Sequence, residues 1–389
     1  MASVQSGLDR LAAGDPSAVD RVRGRRVGLV AHPASVTRSL IHAKDVLVAA
    51  GAKVVALFGP EHGYGGEAQD MIGVENAIDP STGAAVHSLY GDNFESLTPR
   101  AEWLDTLDAL VVDLQDVGSR YYTFVWTAVL CARVCSARGI ELIVLDRPNP
   151  LGGTLIEGPP QLDSLFSFVG LRAVPVRHGL TLGEAVLAAA RDESLTGVSV
   201  IRMSHWEREM LFRDTTLPWV APSPNMPTTD TADVYPGGCL IEGTNLSEGR
   251  GTTRPFELFG APWVDGQALA HAMHRDGGAG FIARPTTFCP TFHKWTNQVC
   301  GGVQVHVTDR GLFRPYRVYL AALRALAAHE RFSWRRERYE FVSDSPAIDL
   351  LTGDASVRMA LEAAASIEEI VAMGQPRMAR WDPKSNWIY

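Results

Sequence analysis

The sequence predicts an α/β protein: a parallel sheet clad in helices in its N-terminal part, then a smaller α+β C-terminal domain. Three observations carry this. Short continuous apolar runs alternate with helical stretches through the first half. Runs of that kind are strands buried on both faces, the habit of parallel sheets. A proline-rich stretch, 217–238, then breaks the alternation, and beyond it helices mix with a half-exposed alternating strand.

In order, 26–31 (RVGLVA) is a buried strand, 37–50 a helix ended by Gly51, and 53–58 (KVVALF) the second strand. Residues 86–90 make a third strand and 101–107 a short helix. Residues 108–114 (DALVVDL) are a strand, 121–138 a helix ended by Gly139, and 140–146 (IELIVLD) the next strand. A helix at 182–192 and a strand at 197–203 complete the series. Residues 217–238 contain five prolines and read as an extended crossing segment. Beyond them, 302–309 (GVQVHVTD) alternates like a half-exposed strand, and 312–328 and 356–365 are helical. The division falls at 1–234 and 235–389, with a cleft between. Right-handed crossovers bring the strand C-termini to one edge, where open α/β sheets place their sites.

Composition narrows the function. A chain of 389 residues is long enough for two domains. With 46% hydrophobic and 21% charged residues it is not a disordered chain. Lys and Arg number 36 against 44 Asp and Glu, a net charge of −8 that argues against a nucleic-acid partner. No apolar run approaches the ~18–20 residues of a membrane span, and the N-terminus lacks the apolar region of a signal peptide. The expectation is a soluble cytoplasmic protein, or an exported one if a leader has been removed. The five cysteines include no CxxC pair and read as reduced thiols, with a Cys289–Cys300 bridge left open. There is no GxGxxG after the first strand, no P-loop, no HExxH and no GxSxG. His271 and His274 lie three apart on a helix without a third ligand at suggestive spacing, so no metal is expected.

Chemistry gathers where strands end. After the second strand comes Gly59-Pro60-Glu61-His62-Gly63, running on through Glu67. After the fourth comes Gln115-Asp116-Val117-Gly118-Ser119-Arg120-Tyr121-Tyr122, and after the fifth Asp146-Arg147-Pro148-Asn149-Pro150. A dense polar run, 242–252, adds Glu242, Asn245, Glu248 and Arg250. Polar loops of this length at a sheet edge bind ligands or move. Glu61 and Glu248, with Asp116, Glu157 and Glu242 in reserve, offer the paired carboxylates of glycosidic cleavage. Arg120, Arg147, Arg177 and Arg250 offer bidentate recognition of an anionic group. Structural readings stand beside these: Asp113 as a turn cap, Arg147–Asp116 as an ion pair, Glu242 as an acid near the hinge, and one of Tyr121 and Tyr122 as core.

The motifs GPEHG (59–63), DLQDVGSRYYTF (113–124), VLDRPNP (144–150), EGP (157–159), SPNMP (223–227), YPG (235–237), EGTNLSEGRGTTRPFE (242–257) and GAPW (260–263) occur in that order. Together, with FVSDSPAIDLLTG (341–353), they resemble the NamZ family of exo-acting β-N-acetylmuramidases, from about Gly7 to the C-terminus. The resemblance implies a Rossmann-like N-terminal domain without a nucleotide and an active site in the interdomain cleft. It implies release of terminal N-acetylmuramic acid from peptidoglycan oligosaccharides or muropeptides, and no cofactor. Glu61 is then the essential acid, with Glu248 or Asp116 as second carboxylate. His62, Gln115, Arg120, Tyr121, Arg147, Asn149, Arg177, His178, Asn225, Glu242, Asn245 and Arg250 are expected to bind substrate, the arginines reading the lactyl carboxylate. Residues 31–38 (AHPASVTR) depart from the family's Asn-Pro-Thr-Gly-like stretch, with His32 at a polar amide position. Two rivals remain: a glycosidase for another N-acetylated or acidic sugar, and a non-catalytic binder of cell-wall fragments.

Overall fold

The computed structural model describes residues 3–66, 68–69 and 77–389; Glu67, in the loop singled out above, lies outside them. The main sheet has seven strands: β1 Arg26–Ala31, β2 Lys53–Gly59, β3 Ala77–Ile78, β4 Ala85–Ser88, β5 Ala109–Asp113, β6 Glu141–Leu145 and β7 Val198–Ile201. Their order is β3-β4-β2-β1-β5-β6-β7. All pairings are parallel except β3 with β4 at the edge. With the two-residue β3 set aside, this is the 3-2-1-4-5-6 order of dinucleotide-binding sheets, whose crevice opens where the order reverses, between β1 and β5. Every residue of β5 and all but the first of β1 are buried, which is why they read as unbroken apolar runs.

The helix Phe124–Arg138 follows β5, and ten of its fifteen residues are buried. It belongs to one apolar core that continues through Val169, Tyr235 and Phe256 into the second domain. That domain is a three-stranded antiparallel sheet, β8 Leu258–Ala261, β9 Phe281–Phe288 and β10 Cys300–Val307, in the order β8-β10-β9. The helix Gly266–Asp276 packs on it, and Pro315–Ala327 packs on that helix. The C-terminal tail returns to the first domain. There the Tyr389 hydroxyl donates to Asp146 at 2.7 Å and the Ile388 amide to Glu184 at 2.8 Å.

Two elements differ most from expectation. The helix after β1 begins at Ala43, because Thr37 closes a turn onto Ile41 (3.1 Å) through Leu40 at φ 61°. In the proline-rich stretch, Thr229–Gly238 is helical. Four of its prolines precede Thr228, whose hydroxyl caps the helix by accepting the Thr231 amide at 3.2 Å. Only Pro236 lies inside the helix, near its end. Cys289 and Cys300 are free thiols, as are the other three cysteines. Among the described residues, no helix is long and apolar enough to cross a membrane.

Candidate active site

A recess opens at the carboxyl edge of the sheet, between the domains. Glu61, His62, Tyr121, Tyr122 and Thr123 line it from the loops after β2 and β5; Ser223, Asn225 and Met226 come from the proline-rich segment. The second-domain side supplies Tyr235, Glu242, Arg250, Phe256, Tyr339 and Glu340.

Glu61 is set by a tight turn. Gly63 N donates to Pro60 O at 2.9 Å, and His62 takes φ 73°. A Cβ on Gly59 would stand 2.2 Å from Tyr64 N, so only glycine lets the strand fold back so sharply. Glu61 is 6% exposed, and its carboxylate accepts the Thr123 hydroxyl at 2.7 Å. Thr123 immediately precedes the helix Phe124–Arg138, so the ends of β2 and β5 meet at this acid. His62 Nδ1 contacts Ala68 O at 2.9 Å.

Across the recess, Arg250 Nη2 donates to Glu242 Oε1 at 2.6 Å, and the Tyr339 hydroxyl donates to Glu242 Oε2 at 2.7 Å. Arg250 Nε lies 3.2 Å from Glu248 Oε1. Burial pushes Tyr121, Tyr122, Tyr235 and Tyr339 well above the usual phenol range. Their hydroxyls therefore stay protonated; Tyr121 donates its proton to Pro236 O and Tyr339 to Glu242, so toward a sugar these two act as acceptors.

Of the residues expected at the site, Glu61, His62, Tyr121, Asn225, Glu242 and Arg250 line the recess. The others are turned away to structural partners. Glu248 is fully buried behind the wall, with His293 Nδ1 at 2.9 Å and Lys294 Nζ at 3.0 Å. Burial opposes its ionised form, but Lys294, His293 and Arg250 outweigh that and hold the carboxyl well below the usual range. Asp116 accepts the Gly118 amide at 2.7 Å and lies 3.4 Å from His178 Nε2, with both side chains buried. His178 Nδ1 also accepts the Leu180 amide at 3.1 Å. Gln115 donates to Asp116 O (2.8 Å) and Pro148 O (3.0 Å).

The arginines separate most clearly. Arg147 pairs with Asp113, not Asp116, at 2.5 Å and 2.8 Å; Asp113 is thus an ion-pair partner and no mere turn cap. Arg120 is wholly buried and donates to the carbonyls of Pro159, Val174 and Leu351. Burial lowers its pKa to about 10. Arg177 donates to Leu151 O at 2.5 Å. Asn149 holds Leu180 O and the Leu151 amide, and Asn245 holds Arg331 O and the Ser333 amide. His32 is buried beside β5 and accepts the Gln115 amide at 3.0 Å. Burial, then Arg147, keep it well below the usual imidazole range. It is a brace between the β1 and β5 loops.

The sequence reading passed over Thr123, Ser223, Tyr235, Tyr339 and Glu340. The first three sit inside motifs quoted above; nothing in the local sequence marks the last two. Among the described residues, no group of three or more His, Cys, Asp or Glu is placed to hold a metal ion.

Comparison with known proteins finds relatives over most of the chain. Two family models match: "Exo-beta-N-acetylmuramidase NamZ, N-terminal" over residues 27–230 and "Exo-beta-N-acetylmuramidase NamZ, C-terminal" over 233–389. The peptidoglycan beta-N-acetylmuramidase NamZ of Bacillus subtilis (strain 168) is 41% identical over 370 residues, which cover 95% of this chain and 86% of that protein. Two crystal structures of DUF1343 family proteins from Bacteroides fragilis NCTC 9343 superpose on the chain. One has a TM-score of 0.86 at 30% identity, the other 0.78 at 27%. Each alignment covers 100% of this chain and 99% of the other.

Proposed function

Since the chain belongs to the exo-β-N-acetylmuramidase NamZ family, we propose that it is a glycoside hydrolase releasing terminal β-linked N-acetylmuramic acid from the non-reducing end of peptidoglycan fragments. The observation that carries the proposal is the recess itself. It offers a buried glutamate fixed by Thr123, an arginine and several tyrosine hydroxyls within one interdomain crevice. That set matches a sugar with one anionic substituent.

Glu61 donates a proton to the glycosidic oxygen as the bond to C1 breaks. Tyrosine hydroxyls and Asn225 meet the ring hydroxyls and the acetamido group. Arg250, whose plane is fixed by Glu242 and Glu248, meets the lactyl carboxylate. Among the described residues it is the arginine that lines the recess, so Arg120, Arg147 and Arg177 serve the fold instead. No cofactor enters this scheme, and the partners are peptidoglycan oligosaccharides or muropeptides.

The test is nitrophenol release from the para-nitrophenyl β-glycoside of N-acetylmuramic acid beside that of N-acetylglucosamine, followed by a muropeptide digest. Turnover of the muramic sugar alone supports the reading. Silence on both glycosides and on muropeptides sinks it in favour of a binding protein.

A further inference from the structure

Neither Glu248 nor Asp116 lines the recess; among the described residues the carboxylates that line it beside Glu61 are Glu242 and Glu340. Glu242 has one oxygen bonded to Arg250 and the other to the Tyr339 hydroxyl. Glu340 is presented in a different way. It sits in a two-residue turn closed by reciprocal bonds, Tyr339 N to Val342 O and Val342 N to Tyr339 O, both 2.9 Å. Both central residues are left-handed, Glu340 at φ 44° and Phe341 at φ 69°.

Such turns select Asn-Gly or Asp-Gly, because a longer side chain crowds the backbone at positive φ. Glu-Phe is an unfavourable choice that persists only if the surroundings enforce it. They do. Phe341 packs on Tyr90, Phe94 and Phe168, with ring centroids at 5.5, 6.4 and 6.2 Å, and Arg338 lies over its face at 5.4 Å. The residue before the turn, Tyr339, is held by Glu242. Glu340 so presented is 5% exposed, and its carboxylate accepts the Tyr90 hydroxyl at 3.1 Å. The chain thus adopts two strained residues in succession to hold one glutamate in the same recess as Glu61.

We propose that Glu340 is the second catalytic carboxylate, an assignment that rests on the hydrolase reading above. Glu61 gives its proton to the glycosidic oxygen as the C1–O bond breaks. Ionised Glu340 faces the positive charge developing at C1 and takes a proton from the water whose oxygen forms the new bond to C1. One water is consumed, and exchange with solvent returns the proton from Glu340 to Glu61.

The experiment compares wild type, Glu340→Ala and Glu340→Asp on the para-nitrophenyl β-glycoside of N-acetylmuramic acid, with and without sodium azide. Glu340→Ala should lose about 10³-fold in kcat with KM within about threefold. Azide, attacking C1 in the vacated space, should restore nitrophenol release and yield the glycosyl azide, a product that a merely structural defect does not generate. Glu340→Asp keeps the charge in a residue that tolerates positive φ. It should fold like wild type yet lose about 10-fold or more in kcat, its carboxylate being withdrawn by one methylene. A Glu340→Ala within about tenfold of wild type, or a Glu340→Asp with wild-type kcat, overturns the assignment. A silent wild type removes the hydrolase reading and this assignment with it, whereas an active wild type beside an active Glu340→Ala removes the assignment alone.

Discussion

Replacing Arg147 by Met asks whether this guanidinium holds the fold or reads substrate. Asp113 is fully buried and Arg147 is 6% exposed. Nε and Nη2 bond the two carboxylate oxygens, and Nη2 also donates to Val36 O at 3.0 Å. The pair therefore ties the ends of β5 and β6 to the loop after β1. Methionine fills much of the same space, so the main loss is electrostatic: a buried carboxylate without its cation, worth about 3–5 kcal/mol. Asp113→Asn strands the guanidinium and costs a similar amount. The double variant buries no charge and should cost no more than either single change, which gives an interaction energy of about 3 kcal/mol. Urea unfolding of the four proteins at pH 7 measures this cycle. At a temperature where all four are folded, KM for the muramic glycoside should stay within about twofold. Single costs that add to within about 0.5 kcal/mol would refute the coupling. A large rise in KM with stability unchanged would make Arg147 a substrate reader after all.

Other outcomes follow from the same geometry. Glu61→Gln should lower kcat by about 10²–10⁴-fold while calorimetry still detects binding of N-acetylmuramic acid; full turnover by this variant would remove Glu61 from the chemistry. Glu248 contributes to acid sensitivity. Its folded carboxyl lies well below its ordinary value of 4.5, so the unfolded chain takes up the proton first. Stability from this group is complete above about pH 4.5 and drains away as pH falls below that. Glu248→Gln should be less stable at neutral pH but lose less on acidification, and acid-unfolding curves of equal slope would contradict the network. Gly118→Ala should cost more than ~2 kcal/mol, because at φ 77° its Cβ would meet Asn149 Oδ1 at 2.2 Å. An unchanged melting temperature would show that the Asn149 brace is dispensable.

Much of this molecule was legible in its amino-acid order. Apolar runs such as RVGLVA mark β1 at its true bounds because a strand buried on both faces leaves no polar interruption. Alternation of strand and helix then requires a parallel sheet, and handedness requires one functional edge. Glu61, His62 and Tyr121 were found this way, since they lie in the loops that follow strands; Glu242 and Arg250 came from the dense polar run 242–252, and Asn225 through a family motif.

The sequence did not determine which way a polar side chain turns at that edge. Glu61 and Arg147 both follow parallel strands in Pro-containing loops, yet one faces the recess and the other closes on Asp113 beneath it. A crossing loop buries carbonyls and carboxylates that need donors, and long side chains from the same loop supply them, as Arg120 does for three carbonyls. Tertiary structure alone decided this, because the acceptors come from segments as distant as Leu351. Glu340 makes the point most sharply. Its backbone conformation is unfavourable by local preference and is held by the packing of Phe341 on Tyr90, Phe94 and Phe168, which lie far away in the chain, in the other domain, and meet the turn only when the two domains pack together.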